Sequence, residues 1–208
     1  MLLVHGMFHS AYTMTLLARD LSAAAYRVRQ VSYPTRSYDV AGLVDRYLRP
    51  AFDAFRDHRP LHIVTHSLGG ILVRFYLQTN ALPADSRIVM LAPPNQGSEV
   101  ADRTRHWPLY RWLAGRVGEQ LGTGPDGIAR QLGPIDAEIG VIAARHSLQP
   151  WFSAMIPGED DGMVSVASTR LAEMRDFIVV DSSHTLMVLS HAVREQVRHF
   201  LAKGCFEH

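Results

Sequence analysis

The chain has 208 residues, 47% of them hydrophobic and 20% charged, with a formal net charge of +1. That balance fits one globular domain around a single sizeable core and excludes disordered, fibrous and collagen-like chains. The 21 Lys and Arg are scattered among 20 Asp and Glu, so no overall field favours nucleic acid or an anionic membrane. The single cysteine, Cys205, excludes an internal disulfide and suits a reducing compartment. The opening Met1-Leu2-Leu3-Val4-His5-Gly6 has no basic leader segment, and no run approaches the roughly eighteen apolar residues of a membrane span. A cytoplasmic location without stable membrane insertion is therefore expected.

Taken in chain order, residues 2–4 read as a short buried strand. Residues 12–25 place apolar side chains at helical spacing and lead to a second strand at 28–33, which Pro34 ends. An amphipathic helix is expected over 40–57, with Leu43, Tyr47, Leu48, Ala51, Phe52 and Phe55 near one face. A strand at 61–65, a helix at 68–78 and a strand at 88–92 follow, the last closed by Pro93 and Pro94. Across 95–149 the strand signal disappears, and Gly and Pro punctuate the segment. Its apolar positions are too few for an independent core, so it is expected as a helical cap inserted into the domain. Strands resume at 151–156 and 177–180, and 188–201 supplies the final helix. Short strands alternating with longer helices predict an α/β fold. A single domain over 1–208, with a doubly wound and mostly parallel sheet, is the expected architecture.

The chemistry concentrates at Thr65-His66-Ser67-Leu68-Gly69-Gly70, between a strand and a helix. A serine at so sharp a turn is held in strained backbone that pushes its hydroxyl out of the sheet edge. The residues two before and two after must be small, which gives the nucleophile-elbow pattern G-x-S-x-G. Gly69 satisfies the second half, whereas Thr65 stands where the pattern has its first Gly. The plainer reading makes Ser67 only the N-cap of the following helix. Acyl transfer also needs donors for a developing oxyanion, and the N–H of Leu68, directly after the serine, is one.

These residues resemble the lipases and esterases of the α/β-hydrolase superfamily, in a compact form that starts at the strand before the oxyanion loop. The resemblance implies that His5-Gly6-Met7 supplies the second oxyanion donor at Met7. It implies that Asp161, directly before Gly162 in Gly158-Glu159-Asp160-Asp161-Gly162-Met163-Val164, is the triad acid, with Asp160 and Glu159 as rivals. It also implies that His184, in Ser182-Ser183-His184-Thr185, is the base. The order Ser67, Asp161, His184 is the one this fold uses.

Carboxylic-ester hydrolysis on a small-molecule or lipid ester is thus the expected activity. Acyl transfer or thioester cleavage by the same triad, and a non-catalytic ligand-binding role on the same scaffold, are the alternatives. His5 and His66 are expected to border the substrate, and Pro93-Pro94-Asn95-Gln96-Gly97-Ser98 either borders the pocket or is an ordinary turn. Trp107, Tyr110 and Trp112 either line an acyl groove or pack the cap against the core. His62 and His66 alternate on a strand, but no carboxylate or Cys completes a ligand set, so no metal is expected. Phosphate-loop and dinucleotide fingerprints do not occur, so no cofactor and no nucleic-acid partner are expected.

Overall fold

The computed structural model describes residues 1–208. Its six strands are β1 (Leu2–Val4), β2 (Arg29–Val31), β3 (Ile63–His66), β4 (Arg87–Leu91), β5 (Glu138–Ala144) and β6 (Asp176–Val180). They form one sheet in the order β2-β1-β3-β4-β5-β6, and every pair is parallel. The register sets Val4 beside both Val31 and Thr65, and His66 beside Leu91.

Helices cover both faces because both faces are apolar. Leu2, Val4, Ile63, Ile88 and Val141 belong to one buried cluster, Leu3, Val64, Val89 and Ile142 to the other. A parallel strand buried on both sides reads as a continuous apolar run, without alternation. On the first face lie α2 (Val40–Leu43), a π turn at Val44–Leu48, α3 (Arg49–Asp53) and α4 (Leu68–Leu77). The helix expected over 40–57 is one helical run over 40–53 with an altered turn in its middle, and residues 54–57 are turns. Pro50, which has no N–H to return to the preceding turn, follows that altered turn. On the second face lie α1 (Thr15–Ala23), entered through a 3₁₀ turn at Ala11–Met14, and α9 (His191–Lys203). A Gly204 with φ of 77° ends α9 in the left-handed conformation.

Between β4 and β5 the chain makes a helical excursion through α5 (Glu99–Thr104), α6 (Pro108–Glu119) and α7 (Ile128–Gln131). Two expectations are corrected here. The segment 95–149 is not helical throughout, because β5 lies inside it and pairs with β4 and β6. Its Glu-Ile-Gly-Val-Ile-Ala-Ala sequence is small, unbranched in part and buried on both faces, so it lacks the alternation that marks a strand. The strand expected at 151–156 is instead the short helix α8 (Pro150–Ser153), started by Pro150 at its first turn.

The chain runs from β1 outward to β2 and then crosses back to β3 on the other side of β1. Ligands in open parallel sheets bind beyond the carboxyl ends of the strands at such a reversal. The loops after β1 and β3 meet at that point.

Candidate active site

Ser67 stands between β3 and α4 with φ of 50° and ψ of −121°, in the left-handed half of backbone space. Such a conformation is costly for a residue with a side chain and persists only where its surroundings impose it. Here the Ser67 N–H donates to the Leu91 carbonyl at 2.8 Å and its own carbonyl accepts from Gly70 N–H at 2.9 Å. The Ser67 hydroxyl makes no capping bond to α4, so the N-cap reading fails.

The turn is crowded where the pattern demands small residues. A Cβ on Gly69 would lie 2.5 Å from the Val4 carbonyl oxygen, and one on Gly6 would lie 3.0 Å from Ser67 Cβ. Helix α4 therefore starts in direct contact with the end of β1, and the loop after β1 passes against the serine. Thr65 is wholly buried at the first elbow position, and a Cβ on Gly70 would press on Pro93 Cβ at 3.1 Å while only touching Thr65 Oγ1 at 3.4 Å.

His184 is delivered by the loop after β6. Its Nε2 lies 2.9 Å from Ser67 Oγ, and its Nδ1 lies 2.7 Å from Asp161 Oδ2. Asp161 is completely buried, and its other oxygen accepts from the N–H groups of Met163 at 3.0 Å and Val164 at 2.8 Å. With Nδ1 donating to the carboxylate, Nε2 is left as the acceptor facing the serine hydroxyl. Of the three adjacent acids only Asp161 reaches the imidazole. Asp160 accepts instead from Ser153 Oγ and Gly162 N–H, both at 2.7 Å, and Glu159 faces Arg145 at the surface.

The Met7 N–H makes no hydrogen bond within the chain. Leu68 is the first residue of α4, so its N–H is among those a helix leaves without an internal acceptor. Met7, Ser67 and His184 line one cleft of about 470 Å³. Its walls are largely apolar: Val100 and Ala101 of α5, Tyr110 and Leu113 of α6, and Phe152, Met163 and Val164 from the segments after β5. Of the segment 93–98 only Pro94 and Ser98 line it; Tyr110 lines it too, whereas Trp107 and Trp112 point outward. Burial pushes the Tyr110 hydroxyl up to about 12, so it enters this wall as a neutral phenol.

Neither His5 nor His66 reaches the cleft, which corrects the expectation that they border the substrate. The His5 ring stacks on Tyr33 with centroids 4.1 Å apart, accepts from Tyr33 N–H at 3.3 Å, and turns its Nδ1 to the Gly6 carbonyl. The His66 ring is buried beneath His184, its Nε2 bonded to the His184 carbonyl at 2.9 Å. Burial, then the nearby His184 and His9, hold His66 well below the usual histidine range. Adjacency to Gly6 and Ser67 in sequence did not specify direction, because neighbouring residues on a strand point to opposite sides. His9 was missed. It lines the cleft two residues after Met7, and burial followed by His184 lowers its pKa.

No curated protein matches the sequence. Among solved structures, the mature form of the lipase BlEst2 from Bacillus licheniformis superposes with a TM-score of 0.76 at 19% identity, covering 96% of this chain and 90% of that one. Phospholipase PlaB from Legionella pneumophila gives a TM-score of 0.67 at 22% identity over 81% of this chain, which spans 45% of PlaB. A metagenomic carboxyl esterase gives 0.69 at 16% identity, covering 89% of this chain and 64% of that one. At such identities these likenesses show a shared fold. The profile of the alpha/beta hydrolase family matches residues 1–199, and the chain belongs to that family.

Proposed function

We propose that this protein is a serine carboxylic-ester hydrolase working through an acyl-enzyme on Ser67. The observation that carries the reading is the unbroken relay Ser67–His184–Asp161, with contacts of 2.9 and 2.7 Å, on the floor of an apolar cleft. A helix cap needs none of these contacts. A nucleophile needs all of them.

In this reading the Ser67 oxygen attacks the ester carbonyl carbon as its proton passes to His184 Nε2. Asp161, fixed by the Met163 and Val164 N–H groups, keeps Nδ1 protonated and stabilises the imidazolium. The carbonyl oxygen becomes an oxyanion held by the N–H groups of Met7 and Leu68, each such donor being worth about 3 kcal/mol of barrier. As the tetrahedral intermediate collapses, His184 returns the proton to the departing alcohol. Water then attacks the acyl-enzyme with His184 as base, releasing the acid and restoring Ser67. The apolar wall from α5 and α6 takes the acyl side of a small-molecule or lipid ester. The excursion α5–α7 thereby serves as the cap over the cleft.

The test is hydrolysis of p-nitrophenyl esters of graded chain length by the wild type and Ser67→Ala side by side. Turnover by the wild type that disappears in a normally folded mutant is the expected result. Activity retained by purified Ser67→Ala overturns the reading.

A further inference from the structure

The exposed apolar side chains are distributed very unevenly. Of twelve large ones, all but Val179 lie in the first half of the segments that follow β1, β4, β5 and β6, the half nearer the C-terminal ends of those strands. That end of the sheet holds the mouth of the cleft. A folded domain scatters single exposed hydrophobics, whereas a set gathered on one end marks a surface that meets something apolar.

The densest part is the start of α6. Residues 105–109 and 111–113 are exposed without interruption, and Trp107, Leu109 and Trp112 stand 49%, 66% and 65% accessible. Leu113 continues this surface into the cleft. The charge here is one-sided although the chain as a whole is nearly neutral. Between Arg103 and Arg116 lie four arginines and no carboxylate. Arg111 and Arg105 pair at the surface with Glu119 and Asp126, while Arg103 and Arg116 have no carboxylate partner. Arg36 adds a further cation over the Trp112 ring, 4.9 Å from its centroid.

We infer that this end of the molecule docks on an anionic lipid surface, with α6 as the contact element. Indole rings and leucines enter the boundary between headgroups and acyl chains, and arginines meet lipid phosphates. A second copy of the chain fits less well, because a twofold contact would set the cationic patch against itself. The inference rests on the proposed ester hydrolysis only for what docking achieves, which is to bring the cleft mouth to membrane-borne esters. Docking itself requires no turnover.

The experiment is sedimentation of the full chain with vesicles of phosphatidylcholine alone and of phosphatidylcholine mixed with phosphatidylglycerol. Ser67→Ala protein keeps the lipid intact. Preferential binding to the mixed vesicles, weakened by salt, is expected. Leu109→Ser/Trp112→Ser and Arg105→Glu/Arg111→Glu should each bind roughly tenfold or more weakly. On the Ser67 background both doubles should hydrolyse a soluble short-chain ester like the wild type, which also reports that they fold. No binding, equal binding to both vesicle types, or unchanged binding by the variants overturns the inference. A dimer abolished by the same substitutions, without vesicle binding, assigns the surface to a second copy. Failure of ester hydrolysis with vesicle binding intact overturns only the enzymatic reading.

Discussion

The Nε2–H of His66 donates to the backbone carbonyl of His184 at 2.9 Å, so the residue before the serine holds the main chain that carries the imidazole above it. The His66 ring is buried, and its Nδ1 has no partner. A neutral ring serves this contact, and a protonated one would be buried beside His184 and His9.

Stability should therefore fall on mild acidification. The folded-state pKa of His66 lies below the ordinary 6.5. Its contribution is complete above 6.5 and is lost as pH drops from there toward the folded value, because the unfolded chain takes up the proton first. The slope from one such group is at most about 1.4 kcal/mol per pH unit. Urea unfolding of the wild type and His66→Gln across pH 7.5 to 5 should show a shallower decline in the variant. Parallel curves would show that other groups set the acid sensitivity.

Asp161→Asn should lower kcat by roughly 10³- to 10⁴-fold, since the amide favours the wrong imidazole tautomer. Asp160→Asn should cost less than about tenfold, because Asp160 bonds Ser153 and Gly162 rather than His184. Steady-state kinetics on one soluble ester compare the two directly. Equal losses would move the acid's role away from Asp161.

Gly69→Ala should be poorly tolerated although alanine favours helices. Its methyl would press on the Val4 carbonyl oxygen at 2.5 Å and on the His5 carbonyl at 2.8 Å. Both are backbone atoms of the first strand and its loop, so relief requires α4 to move off β1. A loss of about 1–3 kcal/mol in denaturant unfolding is expected, and lowered activity with it. Wild-type stability in this variant would mean that α4 is not held so tightly.

Gly140→Ala probes β5 in the same way. The added methyl would meet the Phe200 ring at 2.6 Å and Phe206 at 2.7 Å. Destabilisation by about 1–3 kcal/mol is expected, relieved in part by Phe206→Leu in a double-mutant cycle. Independent, additive effects would mean that α9 and the C-terminal residues do not press on this strand.

The site was more legible in the sequence than the sheet that carries it. Ser67 sits in a turn whose local chemistry marks it, whereas Asp161 and His184 are picked out only by the resemblance to α/β-hydrolases, with Asp160 and Glu159 as local rivals; Gly69 and Gly6 prove to be steric requirements of the fold. Gly70 is different, since only the packed turn reveals that it faces Pro93, where a Cβ would stand 3.1 Å from the proline Cβ. Strand β5 left no period because Ile139, Val141 and Ile142 are all buried, on opposite faces. Trp151 and Phe152 look like strand residues but follow Pro150, and one of them faces solvent. The directions of the His5 and His66 rings depend on Tyr33 and on the His184 carbonyl, which lie far along the chain.

Ser67 and His184 are separated by 117 residues, and His184 from Asp161 by 23. Met7 comes from near the other end of the sequence. The relay therefore spans three strand ends of a wholly parallel sheet, and every crossover must close before its parts meet. Loop-closure entropy makes such pairings late events in refolding. Helical circular dichroism should return before the proposed ester hydrolysis after dilution from denaturant, since that turnover waits for the last strand to take its place.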